Sequence, residues 1–183
     1  MVSASATVHP TAYVGPNVEV GDGAYVGPFC ALGLMAEHPR ERTEPKGLVK
    51  IGAGAVLTKL VTVDAPMEGV TEVGEKAYLM AHSHVGHDAK LGEGTILACG
   101  AKIGGHSTLG KYCNIGLNAV VHQHSALLDG CMVGASGFFK GHTLLPFSIY
   151  AGVPAKYIKQ NEVLIKRLKD AGIIDDSHLF TGG

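Results

Sequence analysis

The sequence has 183 residues, a formal net charge of −1 and 26 glycines, but no tryptophan. A nearly neutral chain offers no global electric field for a nucleic acid, so we expect no nucleic-acid partner. No apolar run reaches the roughly 20 residues that a membrane-spanning helix needs, and the first seven residues do not form a signal peptide. We therefore expect a cytoplasmic protein without a transmembrane segment.

Aliphatic or aromatic residues recur at every sixth position along most of the chain. The first run breaks in a charged stretch at residues 34–48, resumes, and breaks again at residues 64–72 before the longest run begins at Val73. Insertions in a repeat protein form loops on its outside, often over a binding face. The recurring residues are Val8, Val14, Val20, Val26, Leu32, Ile51, Leu57, Val63, Val73, Leu79, Val85, Leu91, Leu97, Ile103, Leu109, Ile115, Val121, Leu127, Val133 and Phe139.

A small residue follows four positions after most of these aliphatic residues, as in Ala77, Ala89 and Ala101. A period of six fits neither an amphipathic helix nor an ordinary hairpin, whereas it is typical of a parallel β-helix. Three hexapeptides make one triangular coil of 18 residues, so we predict an all-β solenoid. Cys113 and Cys131 stand one coil apart at small-residue positions, where we expect reduced core thiols rather than a disulfide.

The hexapeptide pattern ends near Tyr150. Residues 151–156 are interpreted as a turn, and residues 157–170 alternate apolar and charged side chains with helical spacing. We expect this amphipathic helix to cap the last coils and to end at Gly172. The predicted organisation is a β-helix over residues 1–150, with loops at 34–48 and 64–72, and a turn, helix and tail over residues 151–183.

Six of the ten histidines lie between residues 82 and 124, outside the core positions of the repeat. The 18-residue coil stacks Asp88, His106 and His124 in one column, and His87, Gly105 and Gln123 in the next. His122 falls in the column before these. One edge of the β-helix therefore gathers imidazoles, a carboxylate, an amide and glycines, with acid–base capacity near neutral pH. The alternative is a surface histidine ladder without function.

Two chemistries fit this edge. In the first, His87 is a general base steadied by Asp88 or another neighbour, and a glycine N–H, most simply that of Gly105, meets an oxyanion during acyl transfer. In the second, His82, His84 and His87 bind Zn²⁺ together with ligands from a neighbouring subunit.

Three blocks of the sequence resemble a known family. Residues 80–88 (MAHSHVGHD), 103–106 (IGGH) and 119–123 (AVVHQ) are similar to UDP-N-acetylglucosamine O-acyltransferases, which begin lipid A synthesis. Residues 8–12 (VHPTA) and 27–30 (GPFC) resemble the N-terminal coils of that family. The similarity covers most of the predicted β-helix, and its histidine blocks are more specific than the hexapeptide repeat alone.

The resemblance implies a homotrimer of left-handed parallel β-helices with active sites between subunits. It implies transfer of a 3-hydroxyacyl group from acyl carrier protein to the 3-hydroxyl of a UDP-amino sugar, with neither a metal nor a cofactor. The implied roles cover catalysis, substrate binding and acyl length. The implied catalytic residues are His87, Asp88 and Gly105. The implied substrate-binding residues are His84, His106, His122, Gln123, Asn161 and Arg167, and Ala135 is the residue implied to set acyl length.

The sequence also departs from this family. Its N-terminal β-helix is about two coils shorter, its helical C-terminus is reduced to one helix, and residues 34–48 lack an obvious aspartate for the sugar, leaving Glu37 or His38 as substitutes. Residues 151–156 (AGVPAK) resemble instead the ending of sugar acetyltransferases that use acetyl-CoA. The second hypothesis is therefore a sugar acetyltransferase that depends on acetyl-CoA. A zinc enzyme of the γ-carbonic anhydrase type is the third, although Gly92 stands where that family has its second histidine.

Overall fold

A computed structural model describes residues 1–39 and 47–179. Within them the chain winds as a parallel β-solenoid whose strands form three sheets, one on each face of a triangular prism. Leu79 pairs with Leu97, and Leu97 pairs with Ile115, so one coil advances by 18 residues. The predicted all-β solenoid of hexapeptide repeats is confirmed.

The three sheets take successive hexapeptides of each coil in turn. The nine-strand sheet contains β1 (Thr7–Val8), β4 (Tyr25–Val26), β7 (Val56–Leu57), β10 (Tyr78–Leu79), β13 (Ile96–Leu97), β16 (Asn114–Ile115), β19 (Met132–Val133), β21 (Ser148–Gly152) and β22 (Ala155–Gln160). The seven-strand sheet contains β2 (Tyr13–Val14), β5 (Ala31–Leu34), β8 (Thr62–Asp64), β11 (His84–Val85), β14 (Lys102–Ile103), β17 (Val120–Val121) and β20 (Phe138–Phe139). The six-strand sheet contains β3 (Val18–Val20), β6 (Leu48–Ile51), β9 (Val70–Val73), β12 (Lys90–Leu91), β15 (Thr108–Leu109) and β18 (Ala126–Leu127).

The core is the line of aliphatic residues that the sixfold period predicted. From Val73 to Phe139 every one of them is at most 3% exposed, and the small residues between them are buried as well. Only small side chains fit beneath the corners, where successive turns stack closely; a Cβ on Gly104, for example, would lie 2.4 Å from the backbone nitrogen of Gln123. The four cysteines are free thiols.

Both predicted breaks in the repeat are shorter than the sequence indicated. Leu34 and Leu48 belong to strands β5 and β6, and residues 40–46 of the first break lie outside the described residues. The second break spans only residues 65–69, because Asp64 ends β8 and residues 70–72 begin β9, with Thr71 fully buried. Pairing with the strands below and above outweighs the local loss of the sixfold period.

The C-terminal segment corrects the predicted turn and helix start. Strand β22 folds back on β21 as an antiparallel hairpin, so residues 157–160 are strand rather than helix. The backbone groups of β21 would otherwise be left unpaired at the sheet edge, and β22 satisfies them. Helix α1 (Glu162–Asp170) follows, and its Ile165 and Leu168 are buried with Phe147 and Ile174 beside the coils. A 3-10 helix (Asp176–Leu179) ends the described chain.

Gly172 ends the helix as predicted. It takes a positive φ of 67° and donates a hydrogen bond to the carbonyl of Lys169 at 2.9 Å, while the N–H of Ile173 donates to the carbonyl of Leu168 at 2.9 Å. These paired bonds are the Schellman arrangement, which satisfies the last helical carbonyls. None of the described helices is long and apolar enough to cross a membrane.

Candidate active site

His87 and Asp88 occupy the turn that follows strand β11. The Nδ1 of His87 lies 3.0 Å from Oδ2 of Asp88, and the two side chains are 12% and 8% exposed. Asp88 takes a positive φ of 58°, and its own N–H donates to Oγ1 of Thr71 at 2.9 Å. The turn therefore holds the carboxylate beside the imidazole in a fixed, nearly dry arrangement.

Three consecutive backbone amides hold the carboxylate of Asp88. The N–H of Met67 donates to Oδ2 at 2.9 Å, and those of Glu68 and Gly69 donate to Oδ1 at 3.1 and 2.7 Å. Burial alone would raise the pKa of Asp88, but the hydrogen bonds from His87 and these amides outweigh it and lower that pKa. We call residues 65–69 the amide loop.

An ionised Asp88 fixes the tautomer of His87. A carboxylate can only accept, so Nδ1 of His87 carries the proton and donates it to Oδ2. The remaining ring nitrogen, Nε2, is then a lone-pair acceptor. It faces the backbone of Gly105, where an added Cβ would lie 2.7 Å from Nε2 and from Cε1. Glycine is required at position 105 because the imidazole occupies the space of a side chain.

The N–H of Gly105 has no acceptor among the described residues. Its carbonyl, by contrast, accepts from the N–H of His124 at 2.9 Å, so among the described residues the N–H is the unused backbone group of Gly105. Gly105 lines the same groove as His87. A free N–H beside an imidazole acceptor is the pairing that an acyl-transfer site needs, with a base for the attacking group and a donor for the oxyanion.

The groove has a volume of about 320 Å³ and runs across the outer face of the seven-strand sheet; we call it the histidine groove. His84 stands on its floor, where Nδ1 lies 2.8 Å from Oγ1 of Thr62. The residues that line it are Glu37, His38, Asp64, His84, Gly86, His87, Lys102, Ile103, Gly104, Gly105, Val120, Val121, His122 and Gln123.

Five of the predicted site residues line the histidine groove, and two lie against it. His84, His87, Gly105, His122 and Gln123 line it, and all but His84 stand in the columns that the 18-residue coil predicts. His106 and Asp88 lie just behind, with Nε2 of His106 3.9 Å from Oδ2 of Asp88. His106 packs edge-on to His87 and stacks on His124 with ring centres 4.7 Å apart.

Asp64 is a groove residue that the sequence analysis did not identify. It ends strand β8 and is only 6% exposed, yet it lines the groove beside His84. Burial is the main cause that raises its pKa, against the attraction of His84. Val63 pairs with Val85, so Asp64 stands directly below Gly86. The predicted second break includes Asp64, so the sequence analysis did not count this residue as part of the coil below Gly86.

Asn161, Arg167 and Ala135 are not brought to the histidine groove within one chain. Asn161 caps α1, with Oδ1 accepting from the N–H of Leu164 at 3.3 Å, and it lines a second groove with Arg167. This helix groove, about 450 Å³, lies between α1 and the outer face of the nine-strand sheet. Ala135 is exposed in the turn between β19 and β20.

One histidine–carboxylate group among the described residues has the spacing of metal ligands. It comprises His87, Asp88 and His106, whose ligand atoms lie within 4.8 Å of one another. His82 and His84, which the zinc alternative joined to His87, are not part of it. Both oxygens of Asp88 already accept hydrogen bonds from the amide loop, so the geometry is that of a carboxylate–imidazole pair.

Part of the chain is similar in sequence to known transferases. Residues 71–105 match the family model described as bacterial transferase hexapeptide (six repeats). Acyl-(acyl-carrier-protein)–UDP-N-acetylglucosamine O-acyltransferases are 31% identical over 77 residues in Thermodesulfovibrio yellowstonii and 32% identical over 124 residues in Halorhodospira halophila. The chain is similar to these acyltransferases over part of its length. The matches cover 40% and 46% of this chain but only 30% and 48% of the relatives' length.

Solved structures of UDP-N-acetylglucosamine acyltransferases share the fold of this chain. The UDP-N-acetylglucosamine acyltransferase of Campylobacter jejuni superposes with a TM-score of 0.77 at 22% identity, covering 97% of this chain and 79% of that one. The Arabidopsis enzyme gives 0.70 at 17% identity, covering 95% and 78%. A mutant of the GDP-perosamine N-acetyl transferase of Caulobacter crescentus gives 0.52 at 21% identity, covering 85% and 57%. At these identities the structures show a shared fold.

Proposed function

We propose that this chain is an O-acyltransferase that moves a 3-hydroxyacyl group from acyl carrier protein to the 3-hydroxyl of UDP-N-acetylglucosamine or a related UDP-amino sugar. The observation that carries the proposal is the geometry of His87, whose Nδ1 donates to Asp88 while its Nε2 lies against Gly105, a residue whose N–H has no acceptor among the described residues. The sequence relatives are named for this reaction. A cytoplasmic location fits a reaction between two water-soluble substrates.

In the proposed mechanism, the sugar hydroxyl attacks the thioester carbonyl carbon. Nε2 of His87 takes the hydroxyl proton as the new C–O bond forms, and Asp88 stabilises the imidazolium through Nδ1–H. The Gly105 N–H donates to the carbonyl oxygen while it carries negative charge. The intermediate then collapses, the C–S bond breaks, and the imidazolium returns its proton to the leaving sulfur.

The remaining groove residues would bind the acceptor. His84, His122 and Gln123 line the floor and upper wall, where they can meet sugar hydroxyls, and His106 supports His87 from behind. Asn161 and Arg167 lie in the helix groove instead, and a planar guanidinium suits a nucleotide phosphate. We therefore propose a homotrimer in which the helix groove of one subunit meets the histidine groove of its neighbour.

The acidic acyl carrier protein would dock on lysines of the C-terminal segment. Lys156 and Lys159 are exposed on β22, whereas Lys166 pairs with Asp170 at 2.6 Å and Lys169 pairs with Asp176. Lys156 and Lys159 have no ion pair among the described residues, so we expect them to steer the carrier protein to this surface, because complementary charge mainly speeds encounter.

The test is incubation with UDP-N-acetylglucosamine and either a 3-hydroxyacyl carrier protein or acetyl-CoA, read by mass spectrometry. We expect the mass of a hydroxyacyl group to be added from the carrier protein, and a chelator to leave the rate unchanged. Acetyl transfer from acetyl-CoA alone would favour the acetyltransferase reading. Zinc-dependent hydration of CO₂ that the chelator abolishes would favour the hydratase.

The proposed trimer is tested separately by sedimentation at micromolar concentration. A stable monomer would contradict both the trimer and a site shared between subunits.

A further inference from the structure

The lower end of the histidine groove holds the buried carboxylate of Asp64, one oxygen of which accepts no hydrogen bond from the described residues. Oδ2 of Asp64 accepts from the N–H of Glu37 at 3.2 Å and lies 3.9 Å from Nε2 of His84. Oδ1 accepts no hydrogen bond from any described residue, and Asp64 lines the groove. A carboxylate that is 6% exposed, and of which only one oxygen accepts hydrogen bonds from the described residues, is costly unless a donor completes it.

A second carboxylate faces the same space. Glu37 lines the groove next to Asp64, and the repulsion between their charges adds to the burial that raises the pKa of Asp64. Two carboxylates directed into one cavity favour a ligand group that is cationic or carries several donors. A sugar hydroxyl offers one O–H, whereas a protonated primary amine offers three N–H donors and a positive charge.

The lysine of the groove does not neutralise this pair. Nζ of Lys102 donates to the carbonyls of His82 and Gly100, at 2.5 and 3.0 Å. These carbonyls belong to the turns that precede β11 and β14, whereas Asp64 stands at the opposite end of its strand, beneath the turn that follows β11. The ammonium is therefore held at the far edge of the sheet, against turns that lie one and two coils above the strand of Asp64.

We propose that Asp64 and Glu37 form a subsite for a primary amine on the acceptor sugar, with Asp64 as the specificity-determining residue. The inference rests on the proposed function in taking the acceptor to bind in the histidine groove. The ammonium would complete Oδ1 of Asp64, bridge to Glu37 and stand within reach of His84. The preferred acceptor is then a nucleotide sugar with a free amine close to the carbon whose substituent is acylated.

The test compares nucleotide sugars that differ only in carrying a hydroxyl or a primary amine at one ring carbon. Binding to the full-length protein is measured by calorimetry at neutral pH, and acyl transfer is measured on the same sugars. We expect at least one amino sugar to bind about 10- to 100-fold tighter than its hydroxyl counterpart, as for a hydrogen bond to a charged group. Equal affinity for both members of every pair overturns the inference.

Variants assign the preference to the two carboxylates. Asp64→Asn keeps the shape of the side chain and removes its charge. The ratio of the affinity for the amino sugar to that for its hydroxyl counterpart should therefore fall to about one. Glu37→Gln changes an exposed side chain, so we expect the fold to be kept and the affinity ratio of amino to hydroxyl sugar to fall by about 2- to 5-fold. Glu93→Gln removes the same charge at a distant corner, where Glu93 pairs with Lys76, and should leave the ratio unchanged. A ratio that survives both Asp64→Asn and Glu37→Gln contradicts the subsite.

The outcomes separate this inference from the proposed function. Acyl transfer without a preference for amino sugars sinks the subsite and leaves the acyltransferase intact. A preference in binding without any acyl transfer supports the subsite and contradicts the acyltransferase.

Discussion

The histidine groove and the helix groove both contain residues that the sequence marks as functional, but they differ in how those residues are positioned. The groove residues from His84 to Gln123 lie at positions fixed by the 18-residue coil, on strands that pair in strict register or in the turns that follow those strands. Asn161 and Arg167 follow a hairpin that leaves the repeat, and they face a different sheet. Regular stacking converts sequence spacing into spatial position, whereas spacing beyond the repeat does not.

The largest expected effect tests whether the histidine groove is catalytic at all. His87→Ala removes the imidazole that Asp88 orients, and we expect turnover to fall on the order of 10²–10⁴-fold, the range for a general base. The measurement is the initial rate of acyl transfer. His9→Ala in the first coils is the matched control, and we expect its rate to stay within twofold of the wild type. Equal losses in both variants would mean that the effect is structural.

A smaller loss should follow from Gly105→Ala. The added methyl would lie 2.7 Å from the His87 ring, so the imidazole must move away from the oxyanion donor. Misplacing one such donor costs about 10²–10³-fold in turnover. Unfolding free energies check the cause: Gly105→Ala should destabilise the wild type more than it destabilises a His87→Ala protein, where the methyl has room. Additive destabilisation would show that the ring does not occupy that space.

The third change addresses the amide loop. Asp88→Asn turns an acceptor of three amide N–H groups into a group that is half donor, so we expect the unfolding free energy to fall by about 1–3 kcal/mol at pH 7. The pKa of Asp88 is lowered in the folded protein, so its carboxylate stabilises the fold above the unfolded pKa of about 3.9. That contribution should disappear as the pH falls through the folded pKa.

Urea unfolding of both proteins between pH 7 and pH 3 measures this difference. The gap between wild type and Asp88→Asn should narrow below about pH 4, where Asp88 takes up a proton in the unfolded chain while it is still ionised in the folded protein. A gap that stays constant over this range would mean that the lowered pKa of Asp88 does not contribute to stability.

The sequence predicted the parts of the molecule that obey one period. The core, the stacking of His87 over Gly105 and the column of Asp88, His106 and His124 all follow from counting in sixes and eighteens. Counting residues along the repeat could not show which backbone groups bind the side chains at the histidine edge of the β-helix. The three amides that hold Asp88 come from residues 67–69, and no side-chain pattern marks a backbone N–H.

The errors of prediction share a physical cause. Residues 157–160 have a helical pattern of apolar and charged side chains, but the exposed edge of β21 recruits them as a strand. Asp64 was assigned to a loop because it interrupts the aliphatic period, although it ends a strand in register with its neighbours. In both cases pairing with an adjacent strand overrides the local pattern.

Ala135 offers the finest test of the comparison, because it obeys the repeat yet lies outside the histidine groove of its own chain. It is exposed in the turn before β20, at the edge of the seven-strand sheet opposite Asp64. Phe138 follows on that sheet, with its ring 5.8 Å from that of His122, so it offers an apolar surface beside the groove. An acyl chain extending from the proposed site would follow that surface.

If Ala135 ends the acyl groove, its size should set the preferred chain length. Each methylene that fits gains roughly 0.8 kcal/mol of burial, and one that does not fit meets about 1–3 kcal/mol of strain. Donors differing by two carbons should therefore differ at least tenfold in kcat/KM, with Ala135→Met shifting the preference to shorter chains and Ala135→Gly to longer ones. A competition assay with a ladder of hydroxyacyl carrier proteins measures the profile. Unchanged profiles in both variants would mean that Ala135 only fills a corner of the coil, and that the chain leaves the groove by another face.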